Sequence, residues 1–359
     1  MRVGIIAPNY YPEETGNAVT VRRIERQLRL LGCEVRVFPV DRLSGERLLA
    51  GLKDFAPQLL HAFHGYHGGR MAHALAQSLG LPYLITLTGT DVYQALCDQR
   101  GIEMHGALRG AARLVAFHAC VKRRLAEHLP SLAERTTVIP QGVEVPAEQG
   151  AVVAAGEGEE ESFTFLLPAG LRPVKNVLFP LQPLAELHAV YPRIRLLLAG
   201  PVLDGEYAAE VMDTLAHYPF ARYLGVIGRE AMGELYRNAD VILNSSLVEG
   251  GMANAILEAL AHGKPLLVTD IEGNRSVVKE NVTGLLYRDA EEFRIKAEQL
   301  LLDAQLRERL CSKGKALVRD CYPPEKEANC YLDLYREILM ASDAPAIAQL
   351  DCSSDSCSS

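Results

Sequence analysis

The chain has 359 residues, of which 48% are hydrophobic and 23% charged, so it carries enough apolar material for a packed interior and is not an intrinsically disordered protein. Its 37 Lys and Arg against 45 Asp and Glu give a net charge of −8, which argues against nucleic acid as a partner, since neutralising phosphates needs a basic surface. At about 150 residues per domain the length predicts two domains. No apolar run approaches the roughly 18 residues of a membrane span, and residues 3–8 are too short an apolar stretch for a signal peptide, so the chain reads as cytoplasmic.

Residues 3–7 predict a short apolar strand. A Gly/Pro/Asn loop follows, then a helix on which Val21, Ile24, Leu28 and Leu31 recur at helical spacing until Gly32, then a second strand. The alternation continues with strands at 59–63, 83–87, 114–117 and 137–139, separated by segments of helical length, which is the pattern of a parallel sheet covered by helices. Residues 146–162, PAEQGAVVAAGEGEEES, are acidic and Gly-rich and predict a linker. Beyond it, strands at 163–168, 194–199, 222–224, 241–244 and 265–269 predict a second doubly wound α/β domain. Tyr331, Leu334, Tyr335 and Ile338 share a helical face that has to be buried, and the helix at about 325–342 is expected to cross back onto the first domain. The resulting division is 1–150, 163–324 and a tail, 343–359, expected to be disordered because its Ser and Asp content cannot offset the entropy of ordering. The eight cysteines form no C-x2-C pair and no zinc spacing with His. Cys33, Cys120 and Cys330 sit in apolar stretches and read as core packing, while Cys352 and Cys357 fall in the tail.

The most informative segment is 241–269, a strand, a Glu-Gly-Gly turn, a helix and another strand. Gly250 and Gly251 let the backbone approach a ligand, and the amides of Met252, Ala253 and Asn254 open a helix whose N-terminus suits a diphosphate. Glu249 stands in the turn and Glu258 within the helix, where a carboxylate can accept from both hydroxyls of a ribose diol. Read blandly, Glu249 complements the helix dipole and Glu258 faces solvent. AGLRPVK, 169–175, places Arg172 and Lys175 at the carboxyl end of the first strand of the second domain, where fixed cations meet an anionic ligand. The loop 8–17 brings Gly16 and Asn17 to the end of the first strand, either for close backbone approach or as a plain turn and N-cap.

His61, His64 and His67 crowd the end of the strand at 59–63 without the acidic partners of a metal site, and read as a polar cleft wall with one His in acid/base or hydrogen-bonding work. TLTGTD, 86–91, puts Thr88 and Asp91 on the same rim. Lys122, Arg123 and Arg124 form a basic run that reads as a solvated helix face and leaves contact with an anionic acceptor or a membrane surface open.

The chain resembles the retaining family 4 type of GT-B glycosyltransferases over nearly its whole length, most of all the small branch called glycosyltransferase 1 domain-containing proteins. The resemblance rests on TGNAVTVRRI (15–24), HGGR (67–70), GTDV (89–92), VIPQGV (138–143), GLRPVKN (170–176), YLGVIGREAMGELYRNADVILNSSLVEGG (223–251) and AILEALAHGKPLLVTDIEGN (255–274). It implies two Rossmann-like domains facing across a cleft, donor nucleotide sugar mainly on the second and acceptor on the first. It implies diphosphate contacts from Arg172 and Lys175, a ribose grip from Glu258, Glu249 beside the transferred sugar, and a base pocket near Gly225 and Ile227. Asp91 and His64 would line the sugar or acceptor pocket. The glutamates are one residue further apart than is usual in the family, Thr88 replaces a usual His, and Asn17 stands where a second Gly is common. The implied activity is metal-independent, cofactor-free transfer from a nucleoside diphosphate sugar, UDP-linked by expectation, to a small-molecule, glycan or lipid acceptor. The alternatives are a nucleotide-sugar epimerase on the same scaffold and a non-catalytic nucleotide-sugar-binding module.

Overall fold

The computed structural model describes residues 1–11, 15–93, 96, 98–146 and 162–351, with backbone alone for 343–351. Of the linker, 147–161 lie outside the described residues, as do Cys352 and Cys357. The described residues form two compact units, one made of those within 1–11, 17–141 and 324–351, the other of those within 15–16, 142–146 and 162–323.

In the first unit the strands are β1 (Arg2–Ala7), β2 (Glu34–Pro39), β3 (Leu59–Phe63), β4 (Tyr83–Leu87), β5 (Arg113–Ala116) and β6 (Thr136–Val138). Between them run α1 (Gly16–Leu30), α2 (Gly45–Phe55), α3 (Arg70–Leu79), α4 (Thr90–Tyr93), α5 (Gln99–Gly110) and α6 (Ala119–His128). The sheet is parallel throughout, in the order β2-β1-β3-β4-β5-β6. Every residue of β3 and β4 is buried, as expected of central strands covered on both faces. Val21, Ile24 and Leu28 are buried as their spacing predicts, but Leu31 lies past the end of α1 and is 37% exposed.

The second unit has β7 (Phe163–Pro168), α7 (Leu181–Val190), β8 (Ile194–Ala199), α8 (Gly205–Leu215), β9 (Ala221–Tyr223), α9 (Arg229–Asn238) and β10 (Val241–Asn244). These are followed by α10 (Asn254–Ala261), β11 (Leu266–Thr269), α11 (Glu272–Arg275), β12 (Leu285–Tyr287), α12 (Ala290–Leu302) and α13 (Ala304–Cys321). Its sheet is also parallel, in the order β12-β11-β10-β7-β8-β9. The edge strand β12 was not expected from the sequence: its run of three residues is too short to show a period.

The last helix, α14 (Pro324–Asp351), starts where its periodicity predicts and continues beyond residue 342. Tyr331, Leu334, Tyr335 and Ile338 pack against Val3, Ile5, Val21, Leu28 and Leu84 of the first unit. Arg23 of α1 clamps Glu327 of α14 through Nε at 2.8 Å and Nη2 at 3.2 Å, a bidentate pair with both side chains buried. Behind the sheet the hydroxyl of Tyr335 lies 2.7 Å from Nδ1 of His61, whose Nε2 is 2.8 Å from Oγ1 of Thr86, itself 3.0 Å from the hydroxyl of Tyr331. Cys33 and Cys120 are buried as expected. Cys330 is exposed, because it precedes the buried Tyr331 and the helical turn carries it off the packed face.

Candidate active site

Strand order assembles the candidate site in the second unit. β7 is flanked by β8 on one side and β10 on the other, so the connections leave in opposite directions and open a crevice beyond their carboxyl ends, where ligands of doubly wound sheets bind. The chain leaving β7 carries Arg172 and the 3-10 turn Pro173–Lys175, and the chain leaving β10 carries Ser245 to Asn254. The two loops are stitched together: Leu247 N donates to the Val174 carbonyl at 2.9 Å and Ser245 Oγ to that of Lys175 at 3.0 Å. Asn176, at φ 47°, closes the 3-10 turn in the left-handed region that Asn tolerates better than most residues.

Lys175 and Glu249 meet in this crevice, Nζ to Oε1 at 2.5 Å, with side chains 18% and 10% exposed. The same oxygen accepts from Ser246 Oγ at 2.7 Å and Asn244 Nδ2 at 3.2 Å. Burial by itself raises the Glu249 carboxyl, but the Lys175 charge and the donors from Lys175, Ser246 and Asn244 outweigh it and hold the group below the usual carboxylate value. Glu249 is therefore ionised and acceptor-only at neutral pH. Gly273 of α11 backs the loop so closely that a Cβ there would lie 2.3 Å from the Glu249 carbonyl oxygen. Arg172 is half-buried, and its Nε is buried without a hydrogen-bond partner among the described residues.

Between the glutamates Gly251 adopts φ 98°, and α10 opens at Asn254 behind Ala253, which supplies no side-chain cap. The side chain of Met252 is buried in the core, leaving its main chain for any ligand contact, while Ala253 and Asn254 are half-buried. Glu258 lies on the first turns of α10, half-buried, and its Oε2 accepts from the hydroxyl of Tyr236 on α9 at 2.9 Å. Gly225, at φ 80°, follows β9, and its carbonyl accepts from Gly200 N at 2.9 Å; Ile227 beyond it is half-buried. The sequence-predicted residues of this unit thus gather on the loops after β7, β9 and β10 and on α10.

The first unit places its predicted residues at the carboxyl ends of β1, β3 and β4. Gly16, which groups with the second unit, is exposed, and Asn17 is half-buried at the start of α1. His64 begins a π-helical turn, His64–Gly69, at φ 68°, a backbone state uncommon outside Gly and a feature of functional sites. Its Nδ1 accepts from the amides of Tyr66 and His67 at 3.2 and 3.3 Å, which puts the proton on Nε2, 3.1 Å from Oγ1 of Thr90. Burial lowers its affinity for a second proton, so His64 is a neutral hydrogen-bond donor rather than an acid. Asp91 is fully buried and accepts from the amides of Gly65, Thr88, Gly89 and Val92 at 2.8 to 3.2 Å, so its carboxylate organises the loop that holds His64. Oγ1 of Thr88 is buried without a partner among the described residues.

Sequence reasoning did not single out Asn244, Ser246, Gly273 or Tyr236. The first two lie within the quoted Asn-Ser-Ser-Leu-Val-Glu segment, and a polar run ending an apolar strand is a usable signal; Tyr236 lies in the same quoted segment, 223–251, but nothing local marks its contact with Glu258, 22 positions on.

Two family models match the chain: "Glycosyltransferase Family 4" over residues 1–145 and "Glycosyl transferases group 1" over residues 162–303. Glycosyltransferase 1 domain-containing protein 1 of Xenopus tropicalis is 27% identical, over 89% of this chain and 94% of its own length. The GDP-mannose-dependent alpha-mannosyltransferase of Mycobacterium tuberculosis is also 27% identical, over 80% of this chain and 83% of its own. Among solved structures, a sucrose-phosphate synthase from Thermosynechococcus elongatus superposes with a TM-score of 0.78 at 18% identity, covering 95% of this chain and 100% of that one. HepE of Anabaena in complex with UDP-glucose gives 0.78 at 16% identity, covering 94% and 100%. With a match over each of its two Rossmann-like halves, the chain belongs to the family 4, group 1 glycosyltransferases and is a GT-B glycosyltransferase.

Proposed function

We propose that the enzyme moves a glycosyl group from a nucleoside diphosphate sugar, UDP-linked, to a small-molecule, glycan or lipid acceptor, with retention of anomeric configuration and without a metal ion. The observation that carries this reading is the crevice at the ends of β7 and β10, where Arg172 presents a buried, partnerless Nε on the same loop as Lys175. A diphosphate leaving group supplies the acceptor that Arg172 lacks and competes with Glu249 for Lys175. Developing negative charge on the leaving oxygen is then stabilised by Arg172, Lys175 and the first amides of α10, at about 3–4 kcal/mol for a well-placed donor. Glu249, ionised and fixed by three donors, faces the transferred sugar, and Glu258 takes the ribose hydroxyls. Retention rests on the family resemblance. The choice of UDP rests on the structural neighbour bound to UDP-glucose, and the relative named for GDP-mannose makes GDP the competing base.

The test is thermal unfolding with UDP, UDP-glucose, GDP and GDP-mannose, each with and without EDTA. A ligand at 100 times its Kd adds about 2.7 kcal/mol, which is roughly 5–10 °C for a domain of this size. UDP compounds are expected to stabilise the wild type with EDTA present and to lose that effect in Arg172→Ala. Turnover of the stabilising donor should fall about 100-fold or more in Lys175→Ala, and proton NMR of the product reports the anomeric configuration. Stabilisation by GDP compounds alone overturns the base, dependence on a divalent cation overturns metal independence, and no response to any nucleotide overturns the donor site. A product formed from donor alone marks an epimerase.

A further inference from the structure

Tyr236 lies within the segment 223–251 that carries the family resemblance, without a role assigned to it from the sequence, and it makes a direct contact with Glu258. It reaches Glu258 from a different helix, α9, with its side chain 1% exposed. Its ring lies against the imidazole of His262, centroids 4.9 Å apart and planes 20° apart, and Nδ1 of His262 donates to the carbonyl of Glu258 itself at 2.8 Å. The ring is therefore held in place by the same turn of α10 that carries the carboxylate, and the hydroxyl has little freedom. That hydroxyl donates to Oε2 of Glu258 at 2.9 Å, with the Ala255 carbonyl at 3.4 Å as a weaker second acceptor. Burial, the Glu258 charge and this hydrogen bond all push the phenol well above its ordinary value, so it stays protonated and donating at any working pH.

A Glu side chain has three rotatable torsions, and a carboxylate on a helix surface samples several rotamers unless something ties it. We propose that Tyr236 is a positioning residue for nucleotide recognition: its hydroxyl binds one carboxylate oxygen of Glu258 and fixes the rotamer in which that carboxylate receives the vicinal hydroxyls of a ribose. This rests on the assignment of Glu258 to the ribose, and it makes discrimination between ribose and deoxyribose a property of the Tyr236–Glu258 pair rather than of Glu258 alone. Two helices, α9 and α10, then set the sugar selectivity of the nucleotide, so a displacement of α9 against α10 changes it without touching a phosphate contact.

The experiment measures calorimetric affinities for UDP and 2′-deoxy-UDP in the wild type, Tyr236→Phe, Glu258→Gln and the double variant. A hydrogen bond to a charged group corresponds to about a ten- to hundred-fold preference for UDP in the wild type. Tyr236→Phe keeps the ring and its stacking on His262, and is expected to weaken UDP about three- to ten-fold and 2′-deoxy-UDP, which keeps only the 3′-hydroxyl, by less, so that the preference for UDP narrows; in the Glu258→Gln background the same change should have no further effect. A purely structural Tyr236 gives a different result, with both nucleotides weakened alike or neither affected, and that overturns the inference. Should Tyr236→Phe not fold, Tyr236→Met fills the buried site with a flexible apolar chain and carries the same comparison. A wild type that binds both nucleotides equally overturns the ribose assignment of Glu258 itself. Preference abolished by Glu258→Gln but intact in Tyr236→Phe overturns the role of Tyr236 alone.

Discussion

Removing Lys175 tests the physics of the crevice more directly than removing any other side chain, because the size of its effect on stability depends on pH. At an effective dielectric of about 20, unit charges 2.5 Å apart attract by roughly 6–7 kcal/mol, most of which offsets the cost of taking both groups out of water. Breaking a pair this buried from one side leaves the other charge uncompensated, at about 3–5 kcal/mol. Lys175→Ala should therefore destabilise the second unit by about that amount at neutral pH. Glu249→Gln should cost less, since Lys175, 18% exposed, keeps some access to water, and the double variant should recover part of the loss. In the wild type the Glu249 carboxyl is held below its unfolded value, so the pair stabilises fully above that value and the contribution is lost as pH falls through the folded one. Without Lys175, burial dominates and the carboxyl rises. Its effect is then least harmful below the unfolded value and grows as pH climbs through the raised one, so the penalty should be smaller near pH 5 than near pH 7. Urea unfolding followed by far-UV circular dichroism serves as the assay, the chain having no Trp to report by fluorescence. Equal penalties at both pH values, with additive losses in the double variant, would refute the account of the pair.

Three further outcomes follow. His61 is fully buried and its affinity for a proton is pushed down by burial to about 3, whereas the unfolded chain takes up a proton near its ordinary value of 6.5. Acid then favours the unfolded state by about 1.4 kcal/mol per pH unit between those limits, a slope that His61→Gln should remove in urea titrations across that range. Gly273→Ala drives a Cβ into the Glu249 carbonyl and should cost about 1–3 kcal/mol or more together with most of the activity. By contrast, Gly45→Ala, with nothing within 4 Å at the start of α2, should raise stability by about 0.4–1 kcal/mol and leave turnover unchanged.

The order of strands and helices was legible where a parallel strand is a short apolar run, mostly buried, and where a helix shows a 3.6-residue stripe. Hence β3, β4, β7, β8 and β10 fall where their hydrophobicity places them, and α14 was recognisable from Tyr331, Leu334, Tyr335 and Ile338. Local chemistry was equally legible: cations after β7, a Glu-Gly-Gly turn after β10, a helix opening beyond it. Strand order was not, because nothing in a strand's own residues states which neighbour it pairs with. β7 and β10 are adjacent only because the chain reverses winding there, and that reversal brings Lys175 to Glu249 across 74 positions of sequence. The same holds for the Tyr236 hydroxyl on Glu258, for the backbone amides that Asp91 accepts from, and for the nitrogen on which His64 keeps its proton. Residue types and periodicity are properties of short segments and survive in the sequence; hydrogen-bond partners and charge compensation depend on distances between segments, which exist only once the sheet has chosen its order.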